Sequence, residues 1–148
     1  MIRDDIVLLD NKTFDYIDKE NIYVVEKDMA EIIRTLNKKG YITIKQDDGN
    51  YGNYILADIL IENIKDKIDE NVIKNTCYTT IYILFKEDYN FNKPPLGFSW
   101  AKNTKLLFYT HNYYEENPFK MKSIDKLEEE KENILILLKE WADKLPNR

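Results

Sequence analysis

The apolar positions of this chain follow a helical period in some segments and an extended period in others. The clearest helical pattern has spacings of three and four and consists of Met29, Ile32, Ile33 and Leu36. Residues with these spacings lie on one face of a helix. Asp28 has the capping-box spacing to Glu31, and Gly40 follows two lysines after the stripe. We therefore predict a helix between Asp28 and Gly40.

Two further helices are predicted in the rest of the chain. We place Asp58 as the N-cap of the first, whose apolar positions are Leu60, Ile61, Ile64 and Ile68. The second begins after Ser123, ends at Pro146 and carries a longer stripe made of Ile134, Leu137, Leu138, Trp141 and Leu145. Proline ends this helix because it lacks the N–H group that a helix interior requires. We expect each helix to bury its apolar face and to keep its charged residues in water.

Extended segments are predicted from short runs of β-branched and aromatic residues. The strongest run covers 78–86, and every residue from Thr79 to Phe85 is β-branched, aromatic or leucine. This composition is typical of a central strand that is covered on both faces. Shorter runs predict strands at 6–9, 22–25, 41–45, 54–57, 98–100 and 106–110. We expect the strands at 41–45 and 54–57 to pair antiparallel across the loop 46–53.

These elements predict an α+β fold in a single domain that spans residues 1–148. The 148 residues are 43% hydrophobic and include only four glycines and four prolines. This composition suits one continuous core without a long flexible linker. We expect a mainly antiparallel sheet of about five to six strands with three helices on one face. The long C-terminal helix is expected to pack on this sheet.

The charge of the chain disfavours nucleic acid as a partner. Acidic residues outnumber basic residues by 27 to 22, which gives a net charge of −5. Phosphate contacts need clustered lysine and arginine, and arginine occurs only at Arg3, Arg34 and Arg148. An acidic surface instead suits a basic site on a protein partner, whose identity the sequence does not give.

The sequence also favours a cytoplasmic location. No apolar run approaches the roughly 18 residues that a membrane helix requires. The first residues are acidic and lack the basic start and apolar stretch of a signal peptide. Cys77 is the only cysteine, so an internal disulfide is excluded. We predict a cytoplasmic protein that does not contact a membrane.

Side chains suited to catalysis are scarce. The chain has one histidine, His111, and one cysteine, whereas a zinc site needs three or four such ligands. We therefore predict neither a metal nor a cofactor. An enzyme would use His111 as a general base oriented by Glu115 or Glu116. The scarcity favours a protein that is not an enzyme, and the alternative stays open.

Two groups of residues suit recognition. The loop 46–53 holds the densest set of side-chain oxygens, and we interpret it as a solvated turn, a ligand-contacting loop or a cation site. Five of the eleven tyrosines are expected to come together on neighbouring strands: Tyr78, Tyr82, Tyr109, Tyr113 and Tyr114. Such a group serves sheet packing, a partner surface or the stacking of bases.

Two segments of the chain resemble parts of a known group of proteins. Residues 36–43, LNKKGYIT, and residues 89–98, YNFNKPPLGF, resemble segments of small uncharacterised proteins that Firmicutes phages and plasmids carry. In those proteins an LxxxGYxT segment leads into a Cys-x-Gly-His turn. This chain has Asp47 and Asn50 at the Cys and His positions and keeps only Gly49, so the same residues cannot perform thiol or metal chemistry. The resemblance implies a mobile-element accessory protein that acts on host machinery.

The leading hypothesis is a non-enzymatic protein that binds a host or partner macromolecule. The exposed residues expected to make this contact are Asp47, Asp48, Tyr51 and Tyr113. The alternative is a small-molecule or nucleotide-binding protein with a tyrosine-lined pocket. Homodimerisation through the terminal helix or an uncovered strand edge stays open.

Overall fold

A computed structural model describes residues 6–10, 12–15, 22–64, 70–116 and 119–148. Its strands are β1 (Ile6–Asp10), β2 (Ile22–Glu26), β3 (Thr43–Asp48), β4 (Tyr78–Phe85), β5 (Ser99–Ala101) and β6 (Leu106–Asn112). Its α-helices are α1 (Ala30–Lys38), α2 (Tyr54–Ile64), α3 (Glu70–Thr76) and α4 (Ile124–Lys144). The α+β class and the long C-terminal helix are confirmed. Within the described residues there are four helices, one more than predicted.

The strands form two antiparallel sheets. Strands β1 and β2 pair as a two-stranded ribbon, and the other four form a sheet in the order β3-β4-β6-β5. The prediction that the strand at 78–86 is central is confirmed, since β4 lies between β3 and β6. Its predicted coverage on both faces is wrong, because Ile81, Ile83 and Phe85 are buried while Thr80, Tyr82 and Leu84 are only half-buried. Alternation of side chains across the strand explains the difference.

The main core lies between one face of this four-stranded sheet and two helices. Ile81, Ile83 and Leu107 supply the sheet side, and Ile33 of α1 and Leu138 of α4 supply the helix side. All five side chains are fully buried. Burial of one such side chain contributes about 1.5–3 kcal/mol relative to exposure. The helical stripe predicted from Met29 to Leu36 is confirmed, since its members are buried in this core.

A cluster of aromatic rings, which includes Phe91, Trp100 and Trp141, packs against the main core. The ring of Phe91 stacks on Trp100 at a centroid distance of 5.1 Å. The indole nitrogen of Trp141 donates to the carbonyl oxygen of Lys93 over 2.9 Å. These contacts fix the 91–98 loop against α4.

The C-terminal end of α1 agrees with the prediction from the sequence, whereas its N-terminal end does not. Gly40 has φ +97°, and its N–H group and that of Tyr41 donate to the carbonyls of Asn37 and Leu36. This is the Schellman ending for which glycine is favoured. At the other end no side chain caps the helix, and Asp28 instead pairs with Lys131 of α4 at 3.4 Å. The predicted capping box is therefore wrong.

The segment after β3 differs most from prediction. Strand β3 runs on to Asp48, so the loop covers only 49–53, and helix α2 begins at Tyr54. The predicted strand at 54–57 is wrong, and so is Asp58 as an N-cap. The N–H groups of Tyr54 and Ala57 donate to the carbonyls of Tyr51 and Asn53, which starts the helix before Asp58. The predicted helical position Ile68 lies outside the described residues.

Helix α4 begins as predicted and is anchored at its end. The hydroxyl oxygen of Ser123 accepts from the N–H of Lys126 at 3.1 Å, which confirms the cap. At the other end the ammonium of Lys39 donates to the carbonyls of Ala142, Asp143 and Leu145. A cation satisfies carbonyls that the helix end leaves unpaired. Among the described helices, none has both the length and the apolar character needed to cross a membrane.

Asn37 is a buried polar residue that joins α1 to β3. Its Oδ1 accepts from the N–H of Thr43 at 3.0 Å, and its Nδ2 donates to the Thr43 hydroxyl at 2.9 Å. Asn37→Ala should lower the free energy of unfolding by about 1–3 kcal/mol, because it removes the two buried hydrogen bonds between Asn37 and Thr43. Urea unfolding measures this loss. Asn133→Ala, at an exposed position of α4, is the control and should stay within about 0.5 kcal/mol of the parent; equal losses for both variants would contradict the assignment.

Candidate functional site

A buried ion pair connects the end of β3 to α4. Asp48 is only 5% exposed, and its Oδ2 accepts from the ammonium of Lys131 at 3.0 Å. Its other oxygen, Oδ1, is buried and has no hydrogen-bond partner. Removal of one member of a buried pair is costly because it leaves the other charge uncompensated. The pair therefore fixes the position of β3 relative to α4.

A second polar group lies on the same face of the sheet, around His111 of β6. The Nε2 atom of this buried imidazole is 3.3 Å from Oε2 of Glu130, and that oxygen also accepts from Lys122 at 2.8 Å. The Nδ1 atom is buried without a hydrogen-bond partner. Glu130 is thus the carboxylate beside His111. Glu115, which the sequence suggested for this role, pairs with Lys126 at 2.7 Å.

Tyr51 packs between the two polar groups. Its hydroxyl donates to the carbonyl of Leu127 over 2.9 Å, and its ring lies 5.9 Å from that of His111. The ammonium of Lys131 lies 5.7 Å from the centre of the Tyr51 ring. Burial, aided by nearby Glu128 and Asp48, raises the pKa of the Tyr51 hydroxyl. The phenol therefore stays neutral and acts as a hydrogen-bond donor.

The four predicted contact residues are not all on the surface. Asp48 and Tyr113 are buried, at 5% and 1% exposure, so their predicted exposure is wrong. Asp47 and Tyr51 are half-buried. Asp48, Tyr51 and Tyr113 belong to the covered side of the sheet, whereas Asp47 pairs with Tyr82 and lies on the other face. Their role in binding stays a prediction, and Asp48 and Tyr113 can serve it only through the residues that they position.

The predicted gathering of tyrosines is divided by the sheet. Tyr82 pairs with Phe108, and Ile81 pairs with Tyr109, so Tyr82 and Tyr109 project from opposite faces. Tyr113 packs at 5.6 Å from the ring of Tyr54 within a second, smaller core. A pocket lined by all five tyrosines is therefore not formed.

An acidic cleft of about 520 Å³ lies between α1 and α4. Asp28, Glu31, Glu128 and Glu132 line it, with Lys131 and Lys139 as the cations and Ile32, Leu135 and Ile136 among the apolar side chains. Tyr51 is the one tyrosine in this lining. In the described part of the chain, no three His, Cys, Asp or Glu residues are grouped closely enough to hold a metal ion. The lining of the cleft thus combines charged and apolar side chains.

Helix α2 presents large apolar side chains to solvent. Ile55, Leu56 and Ile59 are 71%, 65% and 51% exposed, and Leu60 is also exposed. At about 100° per residue these four side chains span an arc of about 140° on the helix. Ala57 and Ile61 are buried on the other side. We call Ile55, Leu56, Ile59 and Leu60 the α2 stripe.

The composition of α2 indicates that the helix has exposed apolar residues. The predicted strand at 54–57 prevented this interpretation. Six of the eleven residues of α2 are Ile or Leu, which exceeds what one buried helix face needs. Asp58 and Glu62 are the only charged residues of the helix, and both are exposed. Large apolar patches on a protein surface mark sites of interaction.

Comparison with known proteins returns no match: no family model, no curated protein and no solved structure is significantly similar to this chain.

The titration of His111 tests the geometry of its polar group. Burial lowers the pKa of the imidazole below its ordinary value of 6.5, while Glu130 opposes the shift. Because His111 is the only histidine, its ring protons give one titration curve in NMR spectra. We expect a midpoint below pH 6.5, and a still lower one in Glu130→Gln.

The same shift predicts how stability depends on pH. The unfolded chain binds a proton at higher pH than the folded one, so the free energy of unfolding should fall as pH drops from 6.5 towards the folded pKa. His111→Gln should remove this part of the slope in urea unfolding. A midpoint at or above pH 6.5, or an unchanged slope in His111→Gln, would contradict the burial of a neutral imidazole.

Proposed function

We propose that the protein acts by binding a partner protein through the α2 stripe. The observation that carries the proposal is the exposure of Ile55, Leu56 and Ile59, each more than half exposed on a single helix. Hydrophobic surface in water is unfavourable, and its burial is the dominant favourable term in most protein association. A surface of this kind is typical of a helix that packs against another protein.

Charge favours a partner with basic residues. Helix α2 contains no lysine or arginine, and the exposed Asp58 lies beside the α2 stripe. In a twofold homodimer built on this stripe, the acids of both copies would come close together. Lysine or arginine beside an apolar patch of a different protein would instead be attracted and would speed association.

The resemblance to phage and plasmid proteins supports a proposal for the biological setting. We propose that the partner is a host protein and that the chain is an accessory protein of a mobile element. The scarcity of catalytic side chains supports binding over catalysis, since the one histidine is buried against Glu130. A general base needs access to the proton that it removes.

Leu56→Asp tests the role of the stripe. We expect it to weaken the affinity for the purified partner by about thirty-fold or more, because it places a charge in an apolar contact. The partner is first identified by photo-crosslinking from position 59 in a host lysate, and its dissociation constant is then measured by calorimetry. Stability should change little, since Leu56 is exposed and lies in the first turn of the helix, where an acid is tolerated.

Leu96→Asp is the matched control, because Leu96 is an exposed leucine outside α2. It should leave the affinity unchanged. If the parent and Leu56→Asp bind the partner with equal affinity, the α2 stripe is not part of the contact. A dimer of the free protein that Leu56→Asp dissociates in sedimentation runs would show that a second copy covers the stripe and would contradict a partner of another kind.

A further inference from the structure

The face of the four-stranded sheet opposite α1 and α4 holds a groove of about 390 Å³. Its lining is Lys45, Thr80, Tyr82, Leu84, Lys102, Leu106 and Phe108, all from the sheet and the turn between β5 and β6. Helices α1 and α4 pack on the opposite face. Small-ligand pockets in proteins have volumes of about 300–1,000 Å³, so the groove has room for one small molecule.

The floor of the groove is a square of four apolar side chains on the two central strands. Tyr82 pairs directly with Phe108, and Leu84 pairs directly with Leu106. Directly paired residues place their side chains on the same face, with Cβ atoms about 5 Å apart. All four side chains are half-buried. The sheet thus presents two aromatic residues and two leucines on this face.

These two rings differ from the aromatic residues on the covered face of the sheet. Among the described residues, neither Tyr82 nor Phe108 packs against another aromatic ring. On the covered face Phe85 packs against Tyr89, Phe91 and Trp100 within 6.2 Å. Aromatic side chains on an open antiparallel sheet are a recurring platform for stacking nucleic-acid bases. The rings of Tyr82 and Phe108 are therefore available to a planar ligand.

Two cations border this platform. Lys45 and Lys102 are exposed, and within the described chain neither ammonium forms an ion pair or a hydrogen bond. The carboxylate that shares the face is Asp47, whose Oδ1 accepts from the N–H of Gly49 at 2.7 Å. The groove lining itself contains two lysines and no acid. Its local charge is positive although the whole chain carries −5.

The turn that carries Lys102 has an unusual backbone. Lys102, Asn103 and Thr104 all have positive φ, between 52° and 65°. This region is unfavourable for residues with a side chain and most of all for a β-branched residue such as Thr104. Contacts of the turn hold it in place, since the N–H of Lys105 donates to the carbonyl of Lys102 and the N–H of Phe85 to that of Lys105. The strained turn fixes Lys102 at the rim.

We propose that this groove binds a mononucleotide, with the base on Tyr82 and Phe108 and the phosphate between Lys45 and Lys102. The volume of the groove suits one nucleotide, and the net negative charge of the chain opposes a long nucleic acid. A second copy of the chain is disfavoured because a twofold contact would bring the lysines of both copies together. The proposal is independent of the α2 stripe.

Calorimetry with adenosine monophosphate, adenosine and inorganic phosphate tests the two halves of the groove. We expect the nucleotide to bind in the micromolar to millimolar range and more tightly than either of its parts. Tyr82→Ala and Phe108→Ala should each weaken binding of nucleotide and nucleoside by about fivefold or more. Tyr82→Phe keeps the ring and should keep the affinity. Tyr78→Ala, on the same strand but outside the groove lining, is the control and should bind like the parent.

Lysine variants separate the phosphate contact from folding effects. The double change Lys45→Ala and Lys102→Ala removes two exposed side chains. It should weaken binding of the nucleotide by about threefold or more and leave the affinity for adenosine unchanged. Lys105→Ala, in the same turn but outside the lining, is the control. Leu56→Asp should bind the nucleotide normally, which distinguishes this groove from the α2 stripe.

Four results would overturn the proposal. One is the lack of binding of the nucleotide at millimolar concentration to the folded parent. Another is binding of inorganic phosphate as tight as that of the nucleotide, since the rings would then have no role. The third is binding of a single-stranded oligonucleotide that is tighter per site than binding of the nucleotide, since the ligand would then be a nucleic acid rather than a mononucleotide. The last is a dimer of the free parent protein that the Phe108→Ala change dissociates, since a second copy of the chain would then cover this face of the sheet.

Discussion

The pairing of β4 with β6 decides which side chains the molecule buries. Since neighbouring residues of a strand point to opposite faces, Ile81 and Ile83 meet Leu107 beneath the helices, and Tyr82 and Phe108 are left on the other side. A register shift by one residue would exchange the two faces. Both the core and the open groove therefore depend on one register.

Helix α4 links the two cores that this arrangement creates. Leu127 near its start lies in the smaller core, and Leu138 and Ala142 near its end lie in the main core. Between them, Lys131 pairs with Asp48 and Glu130 pairs with Lys122 beside His111. Buried ion pairs contribute little net stability but demand an exact partner. The polar residues of α4 thus connect the helix to β3 and β6, while its apolar residues supply the stabilising burial.

The sequence predicted the elements whose evidence is local. The stripe of α1, the central position of β4 and the Ser123 cap of α4 each depend on residues within a few positions of one another. The prediction failed at 54–57 because Tyr54 and Ile55 favour strands, whereas the turn bonds of Tyr51 and Asn53 start a helix there. The burial of Asp48 was not predictable for a different reason, since Lys131 is 83 positions away and only the fold brings the two together.

The surfaces left after folding differ in both charge and chemistry. The α2 stripe is aliphatic with acids beside it, and the sheet groove is partly aromatic with Lys45 and Lys102 at its rim. Aliphatic side chains bury area against any apolar surface, so in the proposed contact the selectivity would come from the acidic residues beside the stripe. Aromatic rings add a preference for planar ligands, and the lysines add one for anions. The α2 stripe and the sheet groove thus have chemistries that suit different classes of partner.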